Sequence, residues 1–136
     1  MIQRAQSIWM FLAAVAVFTT LKLPFFAGMN PIDNILHDVL PHDNIILEIL
    51  TCSLGSLLLV NIFLFKHRNW QFKICMFAIF IECVDIFLLI REDNRLKDGN
   101  FTIWSALHLL ILFFILKASM GIYKDDRLIK ESNRLR

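Results

Sequence analysis

Hydrophobic residues fall into four long runs, 5–27, 45–65, 74–90 and 102–123, and the polar residues gather in the segments between them. Each run is close to the ~20 residues with which a helix crosses a ~30 Å hydrocarbon core. Within lipid every backbone donor and acceptor needs a partner inside the chain, so runs of this length predict helices. Barrel strands would be about half as long and would alternate polar with apolar. The pattern predicts an all-α protein: a single integral membrane domain over residues 1–136, built as a four-helix transmembrane bundle.

Composition points the same way. Of 136 residues, 57% are hydrophobic and 19% charged, whereas a soluble domain runs to roughly 45–50% and 25%. The excess is too large for a small core to bury and implies lipid as the solvent. It also excludes a disordered tail or a flexible linker. A net charge of +2, with the basic residues spread between apolar runs, gives no nucleic-acid footprint. Cys52, Cys75 and Cys83 lie in or beside apolar runs and read as small buried packing residues, with no disulfide framework or zinc motif. The first run is read as a retained anchor, because Phe25 stands two residues before Ala27 where a signal-peptidase site requires a small residue. Lys22 snorkels at its outer end and Pro24 loosens the helix there.

Basic residues orient the bundle, since basic loops are retained in the cytoplasm. One face carries Arg4, Lys66, Arg68, Lys73, Lys124, Arg127, Lys130, Arg134 and Arg136, and the other Lys22, Arg91, Arg95 and Lys97, a count of nine against four. Both termini are expected in the cytoplasm. Trp9 and Trp70 near the inner surface and Trp104 near the outer one fit interfacial belts. Past the fourth span, Asp126 with Lys130 and Arg127 with Glu131 stand one turn apart, which predicts a basic helical tail.

The opening Met1-Ile-Gln-Arg-Ala-Gln-Ser-Ile-Trp9, running straight into the first span, and the basic ending from Tyr123 to Arg136 with its Asp-Arg-Leu and Arg-Leu-Arg, carry a resemblance. Together with four spans they resemble an uncharacterised family of small four-helix inner-membrane proteins of Bacteroidota, a domain of unknown function. The resemblance implies a bacterial inner membrane and the four-span layout; it brings no activity or site residue.

Besides Lys22 near the end of the first run, five ionisable residues interrupt the runs: Glu48 in the second, Glu82 and Asp85 in the third, His108 and Lys117 in the fourth. A charge at mid-membrane costs about 2.5–3.5 kcal/mol by insertion scales, so each is expected to face the bundle interior or a wet cavity. Glu82 and Asp85, three apart on a helix, share a face. Two carboxyls so placed cannot readily both ionise unless His108 or Lys22 approaches to compensate. Read as function, Glu48, His108, Asp85 and Glu82 form a proton or cation path; read as structure, they are interhelical hydrogen bonds that pin the helices. Small residues four apart on the second span, Thr51 with Gly55 and Cys52 with Ser56, suggest close helix contacts.

The outer loop 30–44 holds Asp33, His37, Asp38, His42 and Asp43 and no lysine or arginine. If 31–40 is helical, Asp33 and His37 stand one turn apart, a spacing that suits a divalent metal. The plainer reading is a short amphipathic helix on the outer surface, capped by Asn30, begun by Pro31 and ended by Pro41. That reading is the one adopted, with no metal site.

Other classes lack their parts. The first span has no acid of the kind that small multidrug exporters carry there. Paired external cysteines for a disulfide-generating enzyme are missing, and only His108 could serve as an in-membrane haem ligand. No phosphate loop, Ser-His dyad or HExxH occurs, and no inverted repeat is visible. The expectation is a non-enzymatic structural or accessory component of a membrane complex. It has no cofactor, and its partners are lipid and a membrane protein or a second copy. The alternative is a small proton- or cation-coupled channel or transporter using Glu82 and Asp85.

Overall fold

The computed structural model describes residues 2–29, 36–65, 67–93 and 97–134. Among them four α-helices, α1 (Ile2–Thr20), α2 (Ile45–Phe63), α3 (Arg68–Asp93) and α4 (Ala106–Arg134), run up and down. Each packs on its sequence neighbours, and α4 closes the ring on α1. At one end of the bundle, strands β1 (Phe26–Met29), β2 (Leu36–Val39) and β3 (Lys97–Phe101) form a small antiparallel sheet in the order β2-β1-β3. This is the sheet end; the opposite end, where α4 runs on to Arg134, is the tail end.

The core is apolar and tightly drawn in. Met10, Ala13 and Val17 of α1 meet Leu54 and Leu58 of α2, Ala78 and Ile81 of α3, and Ile111, Ile115 and Ala118 of α4. Small residues let backbones approach closely. At Gly55 an added Cβ would stand 2.7 Å from the Phe18 ring, and at Gly121 it would stand 2.8 Å from Gln6 Cγ, so α1 is seated in two glycine notches. Of the two small-residue pairs read from the sequence, Thr51 and Gly55 are buried, whereas Cys52 and Ser56 face outward. Cys75 is buried as expected; Cys52 and Cys83 are exposed, contrary to expectation.

The first helix stops seven residues before the end of its apolar run. The Lys22 and Leu23 amides bond to the Thr19 and Thr20 carbonyls in a closing turn, and Pro24, lacking an N–H, ends the helix. Phe26 then pairs with Val39 on one side and Phe101 on the other. Phe25, Phe26, Leu47 and Leu89 make a second small core under the sheet, and Phe101 stacks edge-on against both phenylalanines.

The amphipathic helix expected over 31–40 is not found. Residues 36–39 are extended and paired with β1; residues 30–35, with Asn30, Pro31 and Asp33, lie outside the described residues. His37 lies in a strand opposite Gly28 and is not part of a helical turn. α3 is longer than the run 74–90 at both ends, and α4 carries the expected helical tail, with Arg127 Nε 2.9 Å from Glu131.

Candidate functional site

Halfway along α3, toward the sheet end, three helices bring polar side chains together out of reach of solvent. Glu82 and Asp85 of α3, His108 of α4 and Thr51 of α2 are all buried. His108 Nδ1 lies 2.8 Å from Glu82 Oε1, so one proton is held between imidazole and carboxyl. The Phe25 ring stands edge-on to His108 at 5.3 Å and covers the pair from the sheet side. Thr51 Oγ1 lies 2.9 Å from Asp85 Oδ2 and 2.8 Å from the Leu47 carbonyl, and its single proton can serve only one of them at a time. Asp85 Oδ1 is buried without a partner.

The α-helical repeat explains the convergence. Residues three apart on α3 share a face, and that face also carries Ala78, Ile81 and Leu89 into the interior. The opposite face of the same helix presents Phe77, Phe80, Phe87 and Ile90 outward.

Glu48 and Lys117 do not join the cluster. Glu48 sits in the first turn of α2 just after the Asn44 cap, where its carboxylate lies 2.9 Å from His42 Nδ1 at the exposed end of the bundle. Lys117 is exposed on α4 with its ammonium 5.4 Å from the Phe113 ring centre. Of the five ionisable residues, the structure thus assembles three, in a different order from the path read in the sequence: Glu82 with His108, and Asp85 with a threonine.

A second polar cluster at the tail end escaped the sequence reading. Asn61 Nδ2 lies 3.3 Å from the Gln71 carbonyl and 3.2 Å from Cys75 Sγ. Gln71 Nε2 donates in turn to the Asn61 carbonyl at 3.3 Å. Part of the signal was available: Asn61 is an amide inside the second apolar run, and Gln71 stands ten residues on, three residues before the third run begins. Nearby, Arg68 Nη1 stands 3.9 Å from Asp125 Oδ2 with both side chains largely buried. Between the two clusters lie Leu54, Leu58, Ala78 and Ile115. From Thr51 to Asn61 the separation is about 15 Å of helix at ~1.5 Å per residue. Among the described residues no three His, Cys, Asp or Glu side chains stand close enough to share a metal ion.

What this geometry defines is a small antiparallel four-helix bundle, capped by a sheet and pinned inside by one carboxylate–histidine pair. The family described as a domain of unknown function (DUF4293) matches residues 2–135, and the chain belongs to that family. No curated protein and no solved structure matches the chain.

Proposed function

We propose that the chain is an integral protein of the bacterial inner membrane, that all four helices cross the bilayer with both termini in the cytoplasm, and that it serves as a structural or accessory component of a membrane complex. The observation that carries the reading is the outer surface. α2 and the stretch Ile103–Ile129 are each long and apolar enough to cross a membrane, yet only a third of the most apolar 18 residues of each is buried within the chain. A core helix of a soluble protein that apolar would be mostly covered. The exposed residues include Val60 on α2, Phe80 on α3 and Leu109 and Phe113 on α4, an apolar girdle that needs lipid or a partner.

α3 fits the same account although two acids interrupt its run. Both turn inward, with Glu82 1% and Asp85 0% exposed, so its outward face stays apolar. α1 has a shorter apolar stretch than α2, Ala5–Thr20, about 24 Å by its rise. A shortfall of that size is accommodated by local thinning or snorkelling at modest cost.

The accessory role follows from how the interior polar groups are used. They bond to one another across helices, and an apolar layer separates the two clusters. One observation favours the second reading, a small proton- or cation-coupled channel or transporter: the unpartnered Asp85 oxygen beside a proton-sharing Glu82–His108 pair. Reporter fusions after Phe65, Ile90 and Arg136 test the topology and should read inside, outside, inside; an external C-terminus overturns it. Purification in mild detergent should retain a stoichiometric partner, and proteoliposomes should show no pH-driven flux. Flux without a partner would reverse the choice between the two readings.

A further inference from the structure

At the tail end, adjoining clefts between the start of α3 and the C-terminal half of α4 form one groove. Cavities of 470 and 300 Å³ share Arg68, Asn69 and Asp126, and the second continues through Phe72 and Tyr123 into a third of 410 Å³. The groove has two chemically distinct sectors. Toward the middle of the bundle it is lined by Phe72, Met76 and Met120. Toward the end of the bundle it is lined by Arg68 and Lys73, with Lys124 at the rim of the apolar sector.

We propose that this groove holds one anionic phospholipid of the cytoplasmic leaflet, with its phosphate among Arg68, Lys73 and Lys124 and an acyl chain along Phe72, Met76 and Met120. The inference rests on the membrane reading above and adds a specific ligand to it. Charge complementarity selects the occupant. Arg68 is not consumed by Asp125, since 3.9 Å is an ion-pair distance and too long for a hydrogen bond, and a guanidinium offers five donors. α3 begins at Arg68 with no acid in its first turn, so the positive end of its dipole adds to the field there. Asp126 also lines the groove and is engaged within the protein. Three cations against Asp125 and Asp126 leave a local charge of +1.

The apolar sector decides between a lipid and a free anion. A phosphate alone would leave the Met76 and Met120 side empty, whereas a phospholipid fills both sectors in the order in which a leaflet presents them. Trp70, with Lys73 Nζ 5.3 Å from its ring centre, is largely exposed beside the groove, where an aromatic residue at headgroup level belongs. A zwitterionic lipid brings its own ammonium group to the cations and fits less well.

The test uses the full chain in nanodiscs of mixed phosphatidylglycerol and phosphatidylcholine, with retained lipids counted by native mass spectrometry after gentle release. The expected result is one tightly held phosphatidylglycerol. Lys73→Gln and Lys124→Gln should each weaken the preference by about fivefold, the fold-change equivalent to ~1 kcal/mol per basic residue near a membrane surface. Met120→Trp should reduce retention of the bound lipid without changing any charge. Arg68→Gln should have the largest effect; because Arg68 also meets Asp125, the lysine variants keep the test sound if that variant fails to fold. Equal retention of the two lipids, or a preference indifferent to both lysine variants, overturns the groove. Release of the chain from membranes by alkaline carbonate overturns the membrane reading and the groove with it, whereas a chain that stays membrane-bound without lipid preference refutes the groove alone.

Discussion

The molecule contains the same chemical pair twice, in opposite surroundings. His42 Nδ1 meets Glu48 at 2.9 Å with side chains 72% and 37% exposed, and His108 Nδ1 meets Glu82 at 2.8 Å with side chains 4% and 1% exposed. Atoms and distances are nearly identical; the dielectric is not. At the exposed site water solvates either partner alone, so the contact adds little. At the buried site neither partner can be left alone, and the pair becomes a condition for α3 and α4 packing at that level. The exposed pair ties a turn to the helix that follows it. The buried pair joins residues 26 apart in sequence on different helices.

The comparison breaks most clearly at His108. His108→Leu leaves the Glu82 carboxyl buried without its partner and should cost about 3–5 kcal/mol, as for one member of a buried pair removed. Thermal unfolding in detergent measures it. Glu82→Gln keeps a hydrogen-bonding group in place and should cost about 1.5 kcal/mol or less. A double change to His108→Leu with Glu82→Met should recover much of the loss, because replacing both partners by apolar groups removes the desolvation penalty along with the bond. Equal losses for the two single variants would mean that packing, and not the pair, sets the energy.

How far the sequence reveals this sorting differs by element. The helical bundle was legible because apolar length is a local signal, and so was the inward turn of Glu82 and Asp85, because a charge on a lipid-facing surface is expensive. Glu48 and Glu82 both interrupt apolar runs, but position along the run already sets Glu48 nearer the outer end and Glu82 near the middle. What the structure adds is where the run becomes a helix, and α2 begins at Ile45, which puts Glu48 in its first turn. The sheet was illegible for another reason. Phe26 and Ala27 are absorbed into the end of an apolar run, Lys97–Phe101 falls in a polar connection, and their pairing spans some seventy residues, so no local periodicity marks it. The Asn30, Pro31 and Pro41 signals imitate helix punctuation, but residues 36–39 pair with β1, and tertiary pairing overrides local preference.

The amide cluster offers an intermediate case, buried but uncharged. Asn61→Leu removes two hydrogen bonds, to the Gln71 main-chain carbonyl and to Cys75, and should cost about 1–3 kcal/mol. Less than His108→Leu is expected, because no carboxyl is left buried without its partner. A loss exceeding that of His108→Leu would invert the ranking of the two clusters and shift the main pin of the bundle to the tail end.

Asp85 tests whether the buried acids do more than hold helices. Asp85→Asn preserves a partner for Thr51, and with Glu82→Gln it removes carboxyl titration from the interior while keeping most hydrogen bonds; the pair of changes should shift stability by about 2 kcal/mol or less. Under the accessory reading the doubly substituted chain keeps its partner and its cellular phenotype. Under the transport reading it stays folded and loses a pH-dependent flux in proteoliposomes.

The smallest effect belongs to the exposed twin. His42→Ala removes a contact as short as the buried one, yet should cost only about 0.2–1 kcal/mol, the range for solvent-exposed pairs, with a salt dependence to match. The Asn44 cap, whose side chain accepts from the Ile46 amide at 3.1 Å, remains to hold the start of α2. Measured beside His108→Leu in the same detergent and salt, the variant isolates burial as the variable, since residue types and atomic separation are matched. If the two substitutions cost the same, the energy of such a pair in this protein is set by distance alone, and the argument that burial makes Glu82 and His108 indispensable fails.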